Sequence, residues 1–373
     1  MKKEYIAFYC PDIYPEKTGG LELFTYYLVK DIAKKRDVIL FTESKEFHDD
    51  NIKIIRIFSR LFIMRKWYFA ELSYLISILV FLVTSRSKIN VFHVPHTNNA
   101  NGLSIIFPII KRFLGIDYIL VLHDGGMENI KNSNSHQLLF RHAKNIVAVS
   151  EASKKEYAKF IKTPIIVIPS VIPFLRSKII RNALKDKYGF VMKDKLIIVV
   201  GSISPLKGND IVLDAFMKLT EEYIHEQSLH LLFAGSGILK EELQLYVSES
   251  NIKPYIHFLG NIQNSDIHEI YAIADIYVIA SKHESLSITT LEAMNNNLPI
   301  VASDVEALNT TIEDKYSGLL YKRGDSNELA GKFKTLLQNP DLASELGHNA
   351  KEHYEKHFSY RQTFEKHMKL YRD

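Results

Sequence analysis

Residues 276–303 read IYVIASKHESLSITTLEAMNNNLPIVAS, and three elements lie in that run. Residues 276–280 are apolar throughout, as in a strand covered on both faces. Residues 287–296 follow a helical pattern, and 300–303 form a second apolar strand. Strand, helix and strand in this order make a parallel crossover unit, the building block of open α/β sheets.

Outward from this unit the alternation continues. Strands are expected at 196–200, 230–234 and 256–259, with helices at 210–224, 240–249, 266–274, 328–337 and 341–357. Upstream, apolar runs at 5–9, 38–42, 52–57, 91–94, 118–122, 146–149 and 165–168 predict strands, and the spacing of Leu21, Phe24, Leu28 and Ile32 predicts a helix over 21–35. Between 172 and 194 the pattern changes. Pro173 is followed by a basic, polar helical stretch at 176–188, which marks a linker. The expected fold is α/β, with two doubly wound Rossmann-like domains, 1–172 and 173–357, facing a cleft. A last helical segment, 358–373, follows them.

The 373 residues suit two domains. With 46% hydrophobic and 24% charged residues, the chain is neither disordered nor fibrous. Lys and Arg number 47 against 43 Asp and Glu, a net charge of +4, too mild for nucleic-acid wrapping. Cys10 is the one cysteine, so neither an intrachain disulfide nor a cysteine-rich zinc site forms. The start, MKKEYIAFYC, has no signal-peptide core, and a cytoplasmic setting is expected. Residues 67–84 are apolar but interrupted by Glu71, and both flanks contain parts of one sheet, so a buried helix is expected and a membrane span is not. The basic, aromatic segment 54–68 suits contact with an anionic membrane.

In doubly wound sheets, ligands bind beyond the C-terminal ends of the strands. Four strand-to-helix loops stand out there. Gly19-Gly20 opens the first helix, where backbone amides attract anions, although a glycine pair is also an ordinary turn. The loop from Gly201 through Ser202 and Lys207 to Gly208 offers an ammonium to a phosphate, without Walker-loop order. Gly235-Ser236-Gly237 starts a dinucleotide fingerprint that Lys240 breaks, so a tight turn near a ligand base is an equal reading. The fourth holds Glu284 in the loop and Glu292 one to two turns into the helix, with the amides near Ser287 and Ile288 between them. Two carboxylates suit the paired hydroxyls of a ribose and a hexose; an exposed glutamate plus a helix-terminal charge is the plain alternative. In the first domain His123-Asp124 follows a strand. His93, His96 and His123 lack a regular metal-ligand spacing, and no Asp-x-Asp run follows an apolar strand, so no metal site is expected.

Together these motifs resemble the retaining glycosyltransferases of family 4, which have the GT-B fold. The likeness covers essentially the whole chain and includes 146–151, Leu291-Glu292-Ala293-Met294 and 298–303. It implies a donor diphosphate on Lys207 and on amides near Gly20, Ser287 and Ile288. It implies the nucleotide ribose on Glu292, donor-sugar hydroxyls on Glu284 and His123 beside the reacting sugar. It implies transfer of a hexose from a UDP- or GDP-sugar to a lipid-linked or saccharide acceptor in bacterial surface polysaccharide synthesis, with no cofactor or metal. The site would be the inner face of the cytoplasmic membrane. Ser202 stands where the family usually has arginine, Ser285-Leu286-Ser287 where it has Gly-Phe-Gly, and Ser170-Val171 where an Asn-Gly is common. A nucleotide-sugar epimerase of the same fold, and a catalytically weak member acting as a binding partner, are the competing readings. A nicotinamide oxidoreductase would need the fingerprint that Lys240 breaks.

Overall fold

The computed structural model describes residues 4–57, 76–81, 88–96, 103–123, 134–174 and 179–372. The chain forms two compact units, Met1–Ile172 with Tyr360–Asp373, and Pro173–Ser359.

The sheet of the first unit contains β1 (Glu4–Tyr9), β2 (Val38–Thr42), β3 (Ile52–Arg56), β4 (Lys88–His96), β5 (Asp117–Leu122), β6 (Asn145–Ala148) and β7 (Ile165–Val167). Its order is β3-β2-β1-β4-β5-β6-β7, with every pairing parallel. The order reverses at β1–β4, which makes that edge-to-edge step the topological switch point. Helices α1 (Gly20–Ala33), α2 (Leu103–Leu114), α3 (Asn134–His142) and α4 (Glu151–Ala158) accompany it. All of β2 is buried, because crossover helices cover both faces. Phe41, Phe92, Phe107, Tyr118 and Leu120 lie in one core cluster.

The second unit repeats the plan with β8 (Lys195–Val200), β9 (Leu229–Ala234), β10 (Ile256–Gly260), β11 (Ile276–Ile279), β12 (Ile300–Ser303) and β13 (Leu319–Tyr321). The order is β10-β9-β8-β11-β12-β13, again parallel, and β8–β11 is its switch point. Its helices are α5 (Arg181–Lys187), α6 (Asn209–Met217), α7 (Glu221–Glu226), α8 (Lys240–Tyr246), α9 (Ile267–Ile273), α10 (Ile288–Asn295), α11 (Glu306–Asn309), α12 (Ser326–Gln338) and α13 (Pro340–His357). The helix expected over 210–224 is two. The Thr220 hydroxyl accepts a hydrogen bond from the Tyr223 amide and so starts α7 anew.

The final helix, α14 (Tyr360–Leu370), belongs to the first unit. Tyr360 donates to Asp31 Oδ2 at 2.7 Å, and Thr363 donates to the Pro169 carbonyl at 2.9 Å. Of the segment 54–68 only 54–57 are described, so the expected membrane contact lies outside the described residues apart from that end. Of 67–84 only 76–81 are described. They are helical, with Ile78 and Phe81 in the core. Among the described residues no helix is long and apolar enough to cross a membrane.

Candidate functional site

At the switch point of the second sheet, loops 201–208, 235–239 and 280–287 leave the ends of β8, β9 and β11. Backbone bonds tie them together. Gly201 N–H donates to the Ala234 carbonyl at 3.0 Å, Ile203 N–H to Ser236 at 2.9 Å and Lys282 N–H to Leu206 at 2.8 Å. Two glycines permit this closeness. Gly208 has φ 65°, and a Cβ there would run into the Ala280 carbonyl. Gly235 has φ 156°, and a Cβ would strike the Gly201 carbonyl. Gly235 therefore packs one loop on another, the tight-turn reading of its motif.

This framework brings Lys207 and Glu284 together, at 2.5 Å between Nζ and Glu284 Oε1. The Ser281 hydroxyl donates to the same oxygen at 2.7 Å. Glu284 Oε1 is thus anchored twice, while Oε2 has no partner among the described residues. Lys207 is half-buried, and Ser202 is exposed in the same loop.

Glu292 sits in the second turn of α10, buried. Tyr271, from α9, donates to Glu292 Oε2 at 2.7 Å and also reaches the Thr289 carbonyl at 3.2 Å. Burial pushes the Glu292 carboxyl from its ordinary 4.5 up to about 7, against the pull of the Tyr271 hydrogen bond. Its Oε1 is uncommitted among the described residues. Both glutamates therefore have one oxygen fixed by the protein and one available.

Ser287 is the N-cap of α10, and its Oγ accepts from the Thr290 amide and the Thr290 hydroxyl, at 3.3 and 2.9 Å. The amides of Ile288 and Thr289 open the helix, where no helical carbonyl is in reach. They supply a fixed positive field next to the Glu284 loop.

In the first unit Gly19 is the N-cap of α1 and Gly20 its first residue. The Glu22 carboxylate fills the space that a Cβ on Gly19 would take. An anion at this helix start meets that carboxylate. His123 directly follows β5 and faces the Phe24 ring at 6.1 Å between centroids. Asp124 lies outside the described residues. His93 is a core residue: it stacks on Phe8 at 4.7 Å, and its Nδ1 is 2.7 Å from the Tyr371 hydroxyl. Among the described residues no three His, Cys, Asp or Glu side chains are grouped to hold a metal ion. Cys10 is buried, and burial lifts its thiol to about 12.

Comparison with known proteins gives this arrangement a family. The family model for glycosyl transferases group 1 matches residues 180–353, and that for glycosyltransferase family 4 matches residues 18–173. The chain belongs to the group 1 glycosyltransferases. It is 26% identical over 357 residues to an uncharacterised glycosyltransferase of Methanocaldococcus jannaschii, covering 94% of this chain and 93% of the relative. It is 27% identical over 220 residues to the alpha-monoglucosyldiacylglycerol synthase of Acholeplasma laidlawii, covering 56% of this chain and 54% of that one. The structure of Anabaena HepE with UDP and glucose superposes with a TM-score of 0.79 at 18% identity, over 99% of both chains, a likeness of fold. The fold is GT-B, and the enzyme transfers a sugar from a nucleotide sugar.

Two participants in this candidate site carry no local signal in the sequence. Ser281 was visible only as the residue after a strand. Tyr271 reaches Glu292 from another helix, 21 positions away. The Ser287 cap replaces a glycine-based helix start, and a serine ahead of an apolar helical run is the sign that reveals it.

Proposed function

We propose that this glycosyltransferase moves a hexose, with retention, from a UDP- or GDP-sugar to a hydroxyl of a lipid-linked or saccharide acceptor in bacterial surface polysaccharide synthesis. One observation carries the reading. Glu284 and Glu292 flank the start of α10 with one anchored and one available carboxylate oxygen each, and Lys207 adjoins Glu284. A nucleoside diphosphate sugar has the complementary parts, two diol-bearing rings separated by a diphosphate. Glu292 is assigned to the ribose, Glu284 to the hexose, and Lys207 with the amides of Ile288 and Thr289 to the diphosphate.

The bond from the sugar's anomeric carbon to the phosphate oxygen breaks as the acceptor oxygen bonds on the same face. The departing phosphate oxygen takes the acceptor proton. Lys207 and the helix amides stabilise the charge that builds on the diphosphate. These cationic and dipolar groups supply that field without a metal ion. His123 is assigned to the reacting sugar. The HepE complex with UDP and glucose supports a nucleoside diphosphate donor, and the diacylglycerol-modifying relative supports a lipid acceptor.

Calorimetry with a panel of nucleotide sugars, followed by acceptor assays, tests the reading. Donor binding with transfer to a lipid-linked or saccharide acceptor supports it. Epimerisation of the sugar nucleotide without acceptor, or donor binding with no turnover on any acceptor, overturns it.

A further inference from the structure

We infer that Tyr277 is a positioning residue for sugar transfer: with Tyr271 it fixes the first turn of α10, whose amides face the donor diphosphate. This role rests on the donor site proposed above and adds the groups that hold that site still.

Four hydroxyls, from Tyr277, Ser287, Thr289 and Thr290, meet at the start of α10. Ser287 Oγ accepts from the Thr290 amide at 3.3 Å and from the Thr290 hydroxyl at 2.9 Å. A hydroxyl oxygen has two lone pairs, so Ser287 is full as an acceptor and has only its own proton left to give. Thr289 Oγ1 lies 3.1 Å away and takes it. Thr289 Oγ1 is in turn 2.8 Å from the Tyr277 hydroxyl. The chain therefore runs from Thr290 through Ser287 and Thr289 to Tyr277, which stands on the strand β11. Tyr277, Ser287 and Thr290 are buried.

Thr289 is gripped a second time. Tyr271, on α9, donates to Glu292 Oε2 at 2.7 Å and reaches the Thr289 carbonyl at 3.2 Å. The Tyr271 and Tyr277 rings lie 6.2 Å apart. One residue of α10 thus has its side chain tied to the sheet and its carbonyl tied to the neighbouring helix. Its amide and that of Ile288 are the groups assigned to the diphosphate. Glu292, assigned to the ribose, is held by the same Tyr271 hydroxyl.

Stability alone does not call for this arrangement. A helix cap needs one side-chain oxygen, and Ser287 supplies it. Valine at 289 and 290 and phenylalanine at 277 would fill the same space without burying polar groups. A satisfied chain of hydroxyls instead specifies one orientation of the turn. Orientation matters where amides must meet the charge that builds on a departing diphosphate, because dipoles already aimed need no reorganisation.

The test uses the full chain with Tyr277→Phe and Thr289→Val, which each delete one hydroxyl and keep the shape, and Thr289→Ser, which keeps the hydroxyl. Hydrogen exchange at the Thr290 amide reads the brace in the free protein, and it should rise at least about fivefold in Tyr277→Phe and Thr289→Val. Kinetics with the nucleotide sugar and acceptor identified by the panel above read its use. Each of these two variants should lower kcat about tenfold with little change in donor KM, as loss of an interaction made in the transition state does. The double variant should lose no more than the worse single, since both changes break one chain. Thr289→Ser should lose less kcat than Thr289→Val. Calorimetry of the wild type with UDP and with GDP separates the failures. Binding of neither overturns the donor site and the positioning role with it, while exchange still reports the brace. Donor binding with unchanged exchange in the variants overturns the brace and leaves the donor site standing. Raised exchange with unchanged kcat, or additive losses in the double variant, makes the hydroxyl chain purely structural and overturns the inference.

Discussion

Glutamine in place of Glu292 should make the protein more stable and a worse enzyme, and the two effects should depend on pH in different ways. Burial holds the Glu292 carboxyl at about 7, compared with 4.5 in an exposed chain. A displacement of that size corresponds to about 3 kcal/mol. The sign follows from which state binds the proton more tightly. Below pH 4.5 the group is protonated in both folded and unfolded protein, and the folded state carries no penalty. Between pH 4.5 and 7 the unfolded chain releases this proton while the folded protein keeps it, so the cost of burying the group builds across that window. Above pH 7 the full cost is present. Glu292→Gln removes it while keeping the shape and an acceptor for the Tyr271 hydroxyl. Allowing for relaxation, the variant should gain about 1–3 kcal/mol at pH 8, a rise in melting temperature of roughly 3–9 °C for a unit of this size. The gain should shrink toward zero at pH 5. The same substitution removes the charged acceptor proposed for the ribose and should raise the donor KM about tenfold at pH 8 with little change in kcat, as loss of uniform binding does. Differential scanning calorimetry from pH 5 to 8.5, with donor kinetics at saturating acceptor, measures both. A variant less stable than the wild type at pH 8 would show that Glu292 is held mainly by its hydrogen bond and that the buried-carboxylate argument is wrong.

Four further outcomes follow from the same geometry. Wild-type donor KM should rise as pH falls through about 7 while that of Glu292→Gln stays flat; parallel profiles would exclude Glu292 as the titrating group. Lys207→Ala removes a charge-assisted contact worth roughly 1.5–3 kcal/mol and should lower turnover about ten- to a hundredfold, so unchanged steady-state kinetics would take Lys207 out of the site. Glu284→Gln should lower kcat more than it raises KM and should reorder the preference among donor sugars sharing one nucleotide; a silent mutation would make loop 281–287 purely structural. Excess EDTA should leave turnover intact, and abolition with rescue by Mn²⁺ would refute a metal-free diphosphate site.

The strands that build the two switch points are legible because each is a short apolar run between turn residues. The loops of the candidate site are legible because they follow those strands. Other elements are hidden for physical reasons. The helix over 103–114 is harder to see, since Pro108 sits in its middle. β13 is three residues long, too short to show alternation. Apolar spacing runs on through Leu219, so only the Thr220 cap, a local hydrogen bond, splits α6 from α7. At the site, Lys207, Glu284 and Glu292 stand out as charges in an apolar frame. The Tyr271–Glu292 link does not, because a tyrosine at a helical core position looks like packing until the fold brings a carboxylate to its hydroxyl. Gly19-Gly20 reads equally as an ordinary turn or an anion site, and the Glu22 carboxylate beside Gly19 is not legible from the pair itself.

The departures from the family pattern bear on how a diphosphate is held. In the binding mode proposed above, Ser202 supplies no cation, so Lys207 and the first amides of α10 would face the charge of two phosphates. Lys207 is already engaged by Glu284 at 2.5 Å. In that mode a diphosphate and Glu284 would compete for one ammonium. As the phosphate draws Lys207 toward itself, Ser281 still holds Glu284 Oε1, and the carboxylate keeps its place with more of its charge available to a sugar hydroxyl. The proposed mode thus couples phosphate binding to sugar binding through a shared ion pair. Serine at 287 serves the same end. The glycine it replaces would leave the helix start to find its own geometry, whereas the Ser287 side chain fixes the first turn by accepting from Thr290 and keeps the amides of Ile288 and Thr289 in place. With fewer cations, the fixed orientation of those two dipoles matters more, since a dipole held in place spends no energy reorienting as the leaving group gains charge.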